Sequence, residues 1–479
     1  MIGETLNPGE LGLSPGMSVG QATEALGELR KALNIGNSFP ADGQMNAGQL
    51  MAAVPQDLSH LITKVSFDET QLTLWRMLQA AQRGRARSTV HQFLRIGRYG
   101  NEGENIFFGE GGLPTESSTE RQLASLPMSY AGTVRRLTLQ AAIVPNIAGD
   151  TVKEENEYGA LEVCQGLEHA LFFGDREVNP FAFDGIKKQV MAEGEATVLD
   201  PRGGVLTAEM VQQAMFRNAA EPNFGKANNV ICSPQLYGSM VRVYNDRLRK
   251  NFGDKITPVY TIEDMTFPSG KITFNQDVFL QSEGHKVKGA GGTDASKRPL
   301  PPVIEVQPAT AADPNTKFLG ADAGNYIYWA QATSPTGRSA AVKLNTVAVA
   351  DGERVAFTLR DTGVGTQKAT GFKIYRTLKN GAEGTARHMV DVKRTGDLTQ
   401  VVDLNQDIPG TQSMFFLSVN PRDLQWVDFL PFFNFPLGRM DTSFRWALLQ
   451  FGALKIGAPR HHFIIKNIQP DFDTPLLNI

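Results

Sequence analysis

Residues 151–175 read TVKEENEYGALEVCQGLEHALFFGD, and this stretch sets the frame for the rest of the chain. Thr151-Val152-Lys153-Glu154 has the Thr-x-x-Glu form of a capping box, which satisfies amide donors that a helix start leaves without partners. Ala160, Val163, Cys164, Leu167, Ala170 and Leu171 then recur at three- and four-residue spacing. Glu155, Glu162 and His169 fall mostly off that stripe, and Gly174 ends it. The spacing predicts a helix over 151–174, a rod about 33 Å long at ~1.5 Å rise per residue. A rod of that length is a structural spine.

On the N-terminal side, residues 1–60 are rich in Gly, Asn, Ser and Pro, with one helical stretch around Gln21 to Leu33. Such a segment has too little apolar surface to fold alone and reads as an arm. Residues 61–89 begin the body that carries the spine. Two extended runs follow, Val90 to Arg98 and Ser129 to Ile143, separated by a polar, glycine-rich stretch. A connection that long is uncommon inside a domain unless it has a task, and residues 90–142 read as a hairpin reaching out of the body.

On the C-terminal side, the spine's domain runs over 143–200 and a mixed α and β region over 201–300. That region has a helix after Thr207, a strand Asn229 to Cys232, and a helix capped by Ser233 with Pro234 at its first position. Strand-like runs are read at Thr257 to Ile262 and Lys271 to Leu280. Gly289-Ala290-Gly291-Gly292 and Pro299-Leu300-Pro301-Pro302 look like a flexible linker. Between 301 and 412 short strands recur at close intervals, from Tyr326 to Ala332 through Gln400 to Leu404, which predicts an inserted β-sandwich. Residues 413–479 return to long apolar strands that rejoin the body.

The composition sets bounds on function. The chain has 479 residues, 41% hydrophobic and 20% charged, which suits a globular protein of two or three domains. A net charge of -3 lacks the basic excess that tight binding to DNA phosphates requires. Two cysteines, Cys164 and Cys232, are too few for a disulfide framework or a four-cysteine zinc site. The start of the chain has no secretory pattern. The most apolar stretch, Trp426 to Leu437, is broken by Asp428, Pro431, Asn434 and Pro436, so a soluble protein without a membrane span is expected.

The order of arm, long hairpin, spine helix, mixed second region and returning strands resembles the subunit plan of tailed-bacteriophage major capsid proteins of the Hong-Kong-97-like fold. Gly166 to Asp175, followed by Asn179-Pro180 and Phe183-Asp184-Gly185-Ile186, resembles the end of the spine helix in capsid proteins of several large phages. Val230-Ile231-Cys232-Ser233-Pro234 resembles the strand-to-helix step of their axial domain. Ala447 to Lys455, Ala458-Pro459-Arg460 and Ile464 to Ile468 resemble their C-terminal strands. Tyr328-Trp329-Ala330 and Gly371-Phe372-Lys373-Ile374-Tyr375-Arg376 resemble immunoglobulin-like or fibronectin-type modules, an addition to the minimal capsid fold.

The resemblance implies an α+β fold with an inserted all-β domain and a non-enzymatic shell protein that forms pentamers and hexamers of itself in a virion. It implies assembly in the host bacterial cytoplasm, with scaffolding, portal and cement proteins as possible partners, and packaged double-stranded DNA as a neighbour read without sequence recognition. A portal or other head or tail component is the alternative, and a hydrolase with an accessory sandwich a more distant one.

No catalytic, cofactor or metal residues emerge from the sequence. Asp361-Thr362-Gly363 matches the aspartic-protease triplet, but a single copy reads as a turn. His461-His462, adjacent on a predicted strand, point to opposite faces and cannot chelate one ion together. Cys164 and His169 are too far apart around the helix to act as nucleophile and base. The candidate functional residues are instead charged groups flanking the hairpin, Arg95, Arg98, Glu102, Glu104 and Glu110, which suit contacts between subunits. A compact basic cluster of Arg83, Arg85 and Arg87 suits DNA, an acidic neighbour, or a solvated helix end.

Overall fold

In the computed structural model of the chain the long helix runs from Thr151 to Phe173, so the sequence spacing located both of its ends. The structure describes residues 67, 69–100, 107–113, 116–139, 151–244, 249–252, 255–258, 264–267, 270–292, 294–438 and 442–470. The arm expected over 1–60 lies outside them.

Five helices are used below: α1 (Thr73–Ala80), α2 (Thr151–Phe173), α3 (Ile186–Met191), α4 (Ala208–Ala219) and α5 (Pro234–Val243). A four-stranded sheet joins β1 (Gly84–Arg85), β23 (Leu424–Pro436), β24 (Ser443–Ile456) and β4 (Ser129–Thr138) in that order. Helix α2 lies on one side of it. Gly159 permits the close approach, since a Cβ there would fall 2.4 Å from Leu448 Cδ1. Around this contact Leu167, Leu171 and Phe172 of the helix join Leu74 and Leu78 of α1 and Trp426 and Leu454 of the sheet in one buried cluster.

The second region is a six-stranded sheet in the order β5 (Val198–Leu199), β25 (Phe463–Ile468), β22 (Gln412–Leu417), β6 (Asn229–Cys232), β10 (Gly270–Gln276) and β9 (Asp264–Phe267). Strand β6 has the bounds expected from the sequence. Ser233 then accepts the Leu236 amide at 3.2 Å, with Pro234 opening α5. Thr207 caps α4 by accepting the Met210 amide. The run read as a strand to Leu280 stops at Gln276, because Asp277 accepts the Phe279 amide and starts a 3-10 turn over Val278–Gly284. A short pair, β7 (Arg249–Phe252) and β8 (Lys255–Pro258), lies apart from the six-stranded sheet.

Between Gly284 and Gln412 the chain is all β. One sheet contains β11 (Gly291–Gly292), β15 (Gly337–Arg338), β14 (Tyr328–Ser334), β19 (Gly371–Arg376) and β20 (Arg387–Lys393), with β16 (Val342–Lys343) also on β14. A second contains β12 (Val303–Ala312), β18 (Glu353–Arg360) and β21 (Leu398–Asp403), and β13 (Gly324–Tyr326) pairs β17 (Val347–Val349). Their inward residues, including Tyr328, Phe357, Phe372 and Ile374, form a core of their own.

Two expectations change here. Gly291 and Gly292 are not a flexible linker but an edge strand: a Cβ on Gly292 would lie 2.5 Å from Thr336 O, so two backbones meet where only glycine fits. The run Val90–Arg98, called β2, pairs with Glu120–Pro127, called β3, and not with the run from Ser129. The chain passes from one sheet to the other at Met128, whose amide donates to Thr89 O at 2.9 Å, and β4 then aligns along β24 from Ser129↔Gly452 to Thr138↔Ser443.

Candidate assembly interface

The β2–β3 hairpin has two unlike faces because alternate residues point to opposite sides. The inner face carries His91, Phe93 and Arg95. There Arg95 Nη2 donates to Ile456 O at 2.6 Å, its guanidinium lies 5.2 Å from the Phe93 ring centre, and Lys455 Nζ lies 4.9 Å from the same ring. The outer face has Leu94 directly opposite Leu123, and these leucines remain 67% and 65% exposed. Val90 and Ile96 extend the same exposed row. Farther out, Phe107, Phe108 and Leu113 are exposed around a turn closed by Gly112 N donating to Gly109 O, with Gly111 at φ +79.

A second apolar surface covers the four-stranded sheet opposite α2. Thr133 Oγ1 and Arg135 Nη2 point at α2, donating to Glu162 Oε2 at 3.1 and 2.6 Å. Tyr130 and Val134 therefore point the other way. The register sets Tyr130 beside Phe451 and Leu430, Gly132 beside Leu449 and Phe433, and Val134 beside Ala447 and Phe435. Phe451 stacks edge-on with Tyr130 at 4.8 Å and with Phe433 at 5.4 Å. Tyr130, Val134, Leu430 and Phe435 are exposed.

The residues singled out from the sequence are spread differently from expectation. Arg95 is turned inward on its own chain, and Arg98 lies 3.6 Å from Glu120 across the hairpin. Glu110 is exposed in the turn, and Glu102 and Glu104 lie outside the described residues. Arg83 binds Gln79 at 2.8 Å and lies 3.5 Å from Asp428, while Arg85 sits in the strand that pairs with Val427–Asp428. The signal that sequence reasoning missed was apolar: Leu94, Ile96 and Leu123 share one face of the hairpin and stay exposed.

The remaining candidates have structural roles. Asp361 closes a turn, accepting the Gly363 amide at 3.0 Å and the Ala369 amide at 3.2 Å, with Arg394 Nε 2.8 Å away. His461 ends a 3-10 turn over Pro459–His461 and His462 follows it, neither lying on a strand, and they diverge: His461 meets Asp423 at 2.9 Å and His462 accepts the Ser418 amide at 3.1 Å. Burial pushes the Cys164 thiol up to about 11 and the Cys232 thiol up to about 12, so neither is an activated nucleophile.

A small cavity of about 70 Å³ lies where the β module meets the body, lined by His169, Lys187, Glu283, Lys373, His388 and Asp391 among others. Its charges are matched. Lys187 Nζ meets Glu283 at 2.7 Å, and Asp391 takes Lys373 Nζ at 3.0 Å and His388 Nε2 at 2.9 Å. Burial alone would raise the Asp391 carboxyl, but Lys373 and His388 outweigh it and hold it well below the usual range. The Lys187–Glu283 pair lies on the body side of the cavity and the Asp391 pairs on the module side.

No family model matches the chain. It is 24% identical over 460 residues to the major capsid protein of Staphylococcus phage K, covering 92% of this chain and 95% of that one. It is 22% identical over 465 residues to the putative major capsid protein of Enterococcus phage phiEF24C, covering 94% and 96%. This chain is homologous to phage major capsid proteins. The similarity to these capsid proteins spans nearly the whole length of both chains, so it includes the β module as well as the body. Among solved structures, the capsid of Myoviridae phage XM1 is similar with a TM-score of 0.44 and 9% identity, over 89% of this chain and 100% of that one.

Proposed function

We infer that this chain is a structural shell subunit, the major capsid protein of a tailed phage with the Hong-Kong-97-like fold, whose work is assembly and not catalysis. The observation that carries the reading is the end-to-end homology with capsid proteins. The two exposed apolar surfaces supply a physical means. A lone two-stranded hairpin is marginal in water, and its exposed leucines gain from burial at ~25 cal/mol per Å². The hairpin's outer face docks on the Tyr130–Phe451–Phe433 surface of the next copy. Such a head-to-tail contact closes into rings when repeated by rotation, giving pentamers and hexamers. Exposed ion pairs such as Arg98–Glu120 add only ~0–1 kcal/mol each, so repeated apolar contacts carry the shell.

The hairpin and α2 lie at subunit boundaries, the six-stranded region lies toward the centre of each ring, and the β module faces outward. Assembly takes place in the host cytoplasm, with scaffolding, portal and cement proteins as further partners. Packaged double-stranded DNA is a neighbour, in keeping with a net charge of -3. The test is electron microscopy of protein expressed with its neighbouring phage genes, as wild type and as Leu94→Asp/Leu123→Asp. Shells or five- and six-membered rings from the wild type, and folded but unassembled subunits from the variant, are expected. A uniform twelve-membered ring would point to a portal, and unimpaired assembly of the variant would refute the docking face.

A further inference from the structure

Glu168 interrupts the apolar face of α2, at helical spacing from Cys164 and Leu171, and its side chain has no exposed surface. Its two oxygens accept the Leu74 and Trp75 amides at 2.7 and 2.8 Å, within the first turn of α1. Thr73, in the same turn, donates to Gln276 O at 2.8 Å. The next residue, Asp277, is equally buried. One of its oxygens accepts the Phe279 amide at 2.8 Å, and the other, Oδ2, has no conventional donor. The two carboxyl groups lie within hydrogen-bonding reach of each other.

Two carboxylates cannot hydrogen-bond unless one carries a proton. Among the described residues neither meets a basic side chain within ion-pair distance. The pair acts in turn on two thiols, Glu168 on Cys164 and Asp277 on Cys232, and both of these are acids as well. Burial and the mutual proximity of like charges both favour the neutral form.

We propose that Glu168 and Asp277 share one proton at physiological pH, and that this proton latches α1 and the strand-to-turn step at Asp277 to the spine helix. The two amides of α1 favour negative charge on Glu168, and the orphaned Oδ2 of Asp277 is the atom that needs a hydrogen to donate. Burial and the neighbouring Asp277 carboxyl raise Glu168, and burial raises Asp277 too, so the pair as a unit retains a proton whichever oxygen carries it. Loss of the proton in alkali leaves two buried charges facing each other, and α1 separates from the spine there first.

Infrared spectroscopy reads the proton directly, because at pH 8 an ordinary carboxyl is ionised and has no protonated C=O stretch. The wild-type chain is expected to show one such band at pH 8 that fades toward pH 10. Glu168→Gln and Asp277→Asn should each lack it, since a side-chain amide supplies the missing donor. Absence of the band from the wild type, or its persistence in both variants, overturns the assignment. A second readout compares urea unfolding of wild type and Asp277→Asn. The ratio of their unfolding constants should rise up to about tenfold per pH unit above neutrality, and a ratio that stays flat with pH overturns the latch.

Discussion

Gly371, the first residue of β19 in the module, packs against Val178 of the body so closely that a Cβ would fall 2.6 Å from Val178 Cγ1 and 2.9 Å from Val392 O. The module is thus seated on the body by direct packing as well as by the ion pair of Arg202 with Asp322 at 2.8 Å. Gly371→Ala must displace a branched side chain and a backbone oxygen together. It is expected to cost about 1–3 kcal/mol, as overpacking does elsewhere. Denaturant unfolding checks the loss.

Arg376 and Asp403 form a second test inside the module. Arg376 Nη1 lies 2.5 Å from Asp403 Oδ2, both side chains are buried, and the guanidinium also bonds Asn405 and lies over Phe318 and Tyr326. Arg376→Met leaves Asp403 charged and buried with only the Tyr328 hydroxyl, 2.9 Å away, and the Asn405 amide as donors. The expected cost is about 3–5 kcal/mol. Arg376→Met/Asp403→Asn should cost less than the sum of the single changes, measured by a double-mutant cycle on unfolding free energy.

His462 makes the fold acid-sensitive. Its side chain is fully buried, and burial lowers the ring to about 4, so the folded chain keeps it neutral where the unfolded chain protonates it. Between the ordinary value of ~6.5 and about 4 the unfolded state holds more protons, so stability present above 6.5 is lost as pH falls through this window. The full effect is about 3 kcal/mol at ~1.4 kcal/mol per unit. His462→Gln, whose carbonyl still accepts the Ser418 amide, should flatten the wild-type decline in thermal midpoint between pH 6.5 and 4.

What the sequence made legible was local. Apolar spacing located α2, and the Asn229–Cys232 strand with its Ser233-Pro234 step needed only turn and cap chemistry. The period-2 runs of the module likewise carried their own signal. Partner choice was another matter. Val90–Arg98 alternates in a way that suits either Glu120–Pro127 or Ser129–Thr138, and only the crossing at Met128 decides between them. The glycines at 291–292 read as loose until their backbone is seen to touch that of Gly337. Glu168 did leave a trace, an acid on the face that Cys164 and Leu171 share. Its meaning depended on Asp277, more than a hundred residues away.

The point where the module leaves and re-enters the body gives the last prediction. A Cβ on Gly284 would lie 3.1 Å from Gly410 Cα, so the ends of the 285–409 segment are neighbours. Removing 301–412, the span suggested by strand spacing, would also remove Gln412, whose side chain joins Ser233 and Gln235 in the six-stranded region. It would leave β11 without β15, and Arg202 without Asp322, which it meets at 2.8 Å. Joining Gly284 directly to Gly410 keeps β22 whole and asks the backbone to bridge a gap it already nearly closes. That shorter junction still uncovers Lys187, Asp200 and Arg202, all of which tolerate water better than an unpaired strand edge does. The 285–409 deletion is expected to yield soluble protein that assembles, and the 301–412 deletion to aggregate, with sedimentation and electron microscopy as the readout. Equal behaviour of the two deletions would mean that the body does not depend on the register of Gln412–Leu417.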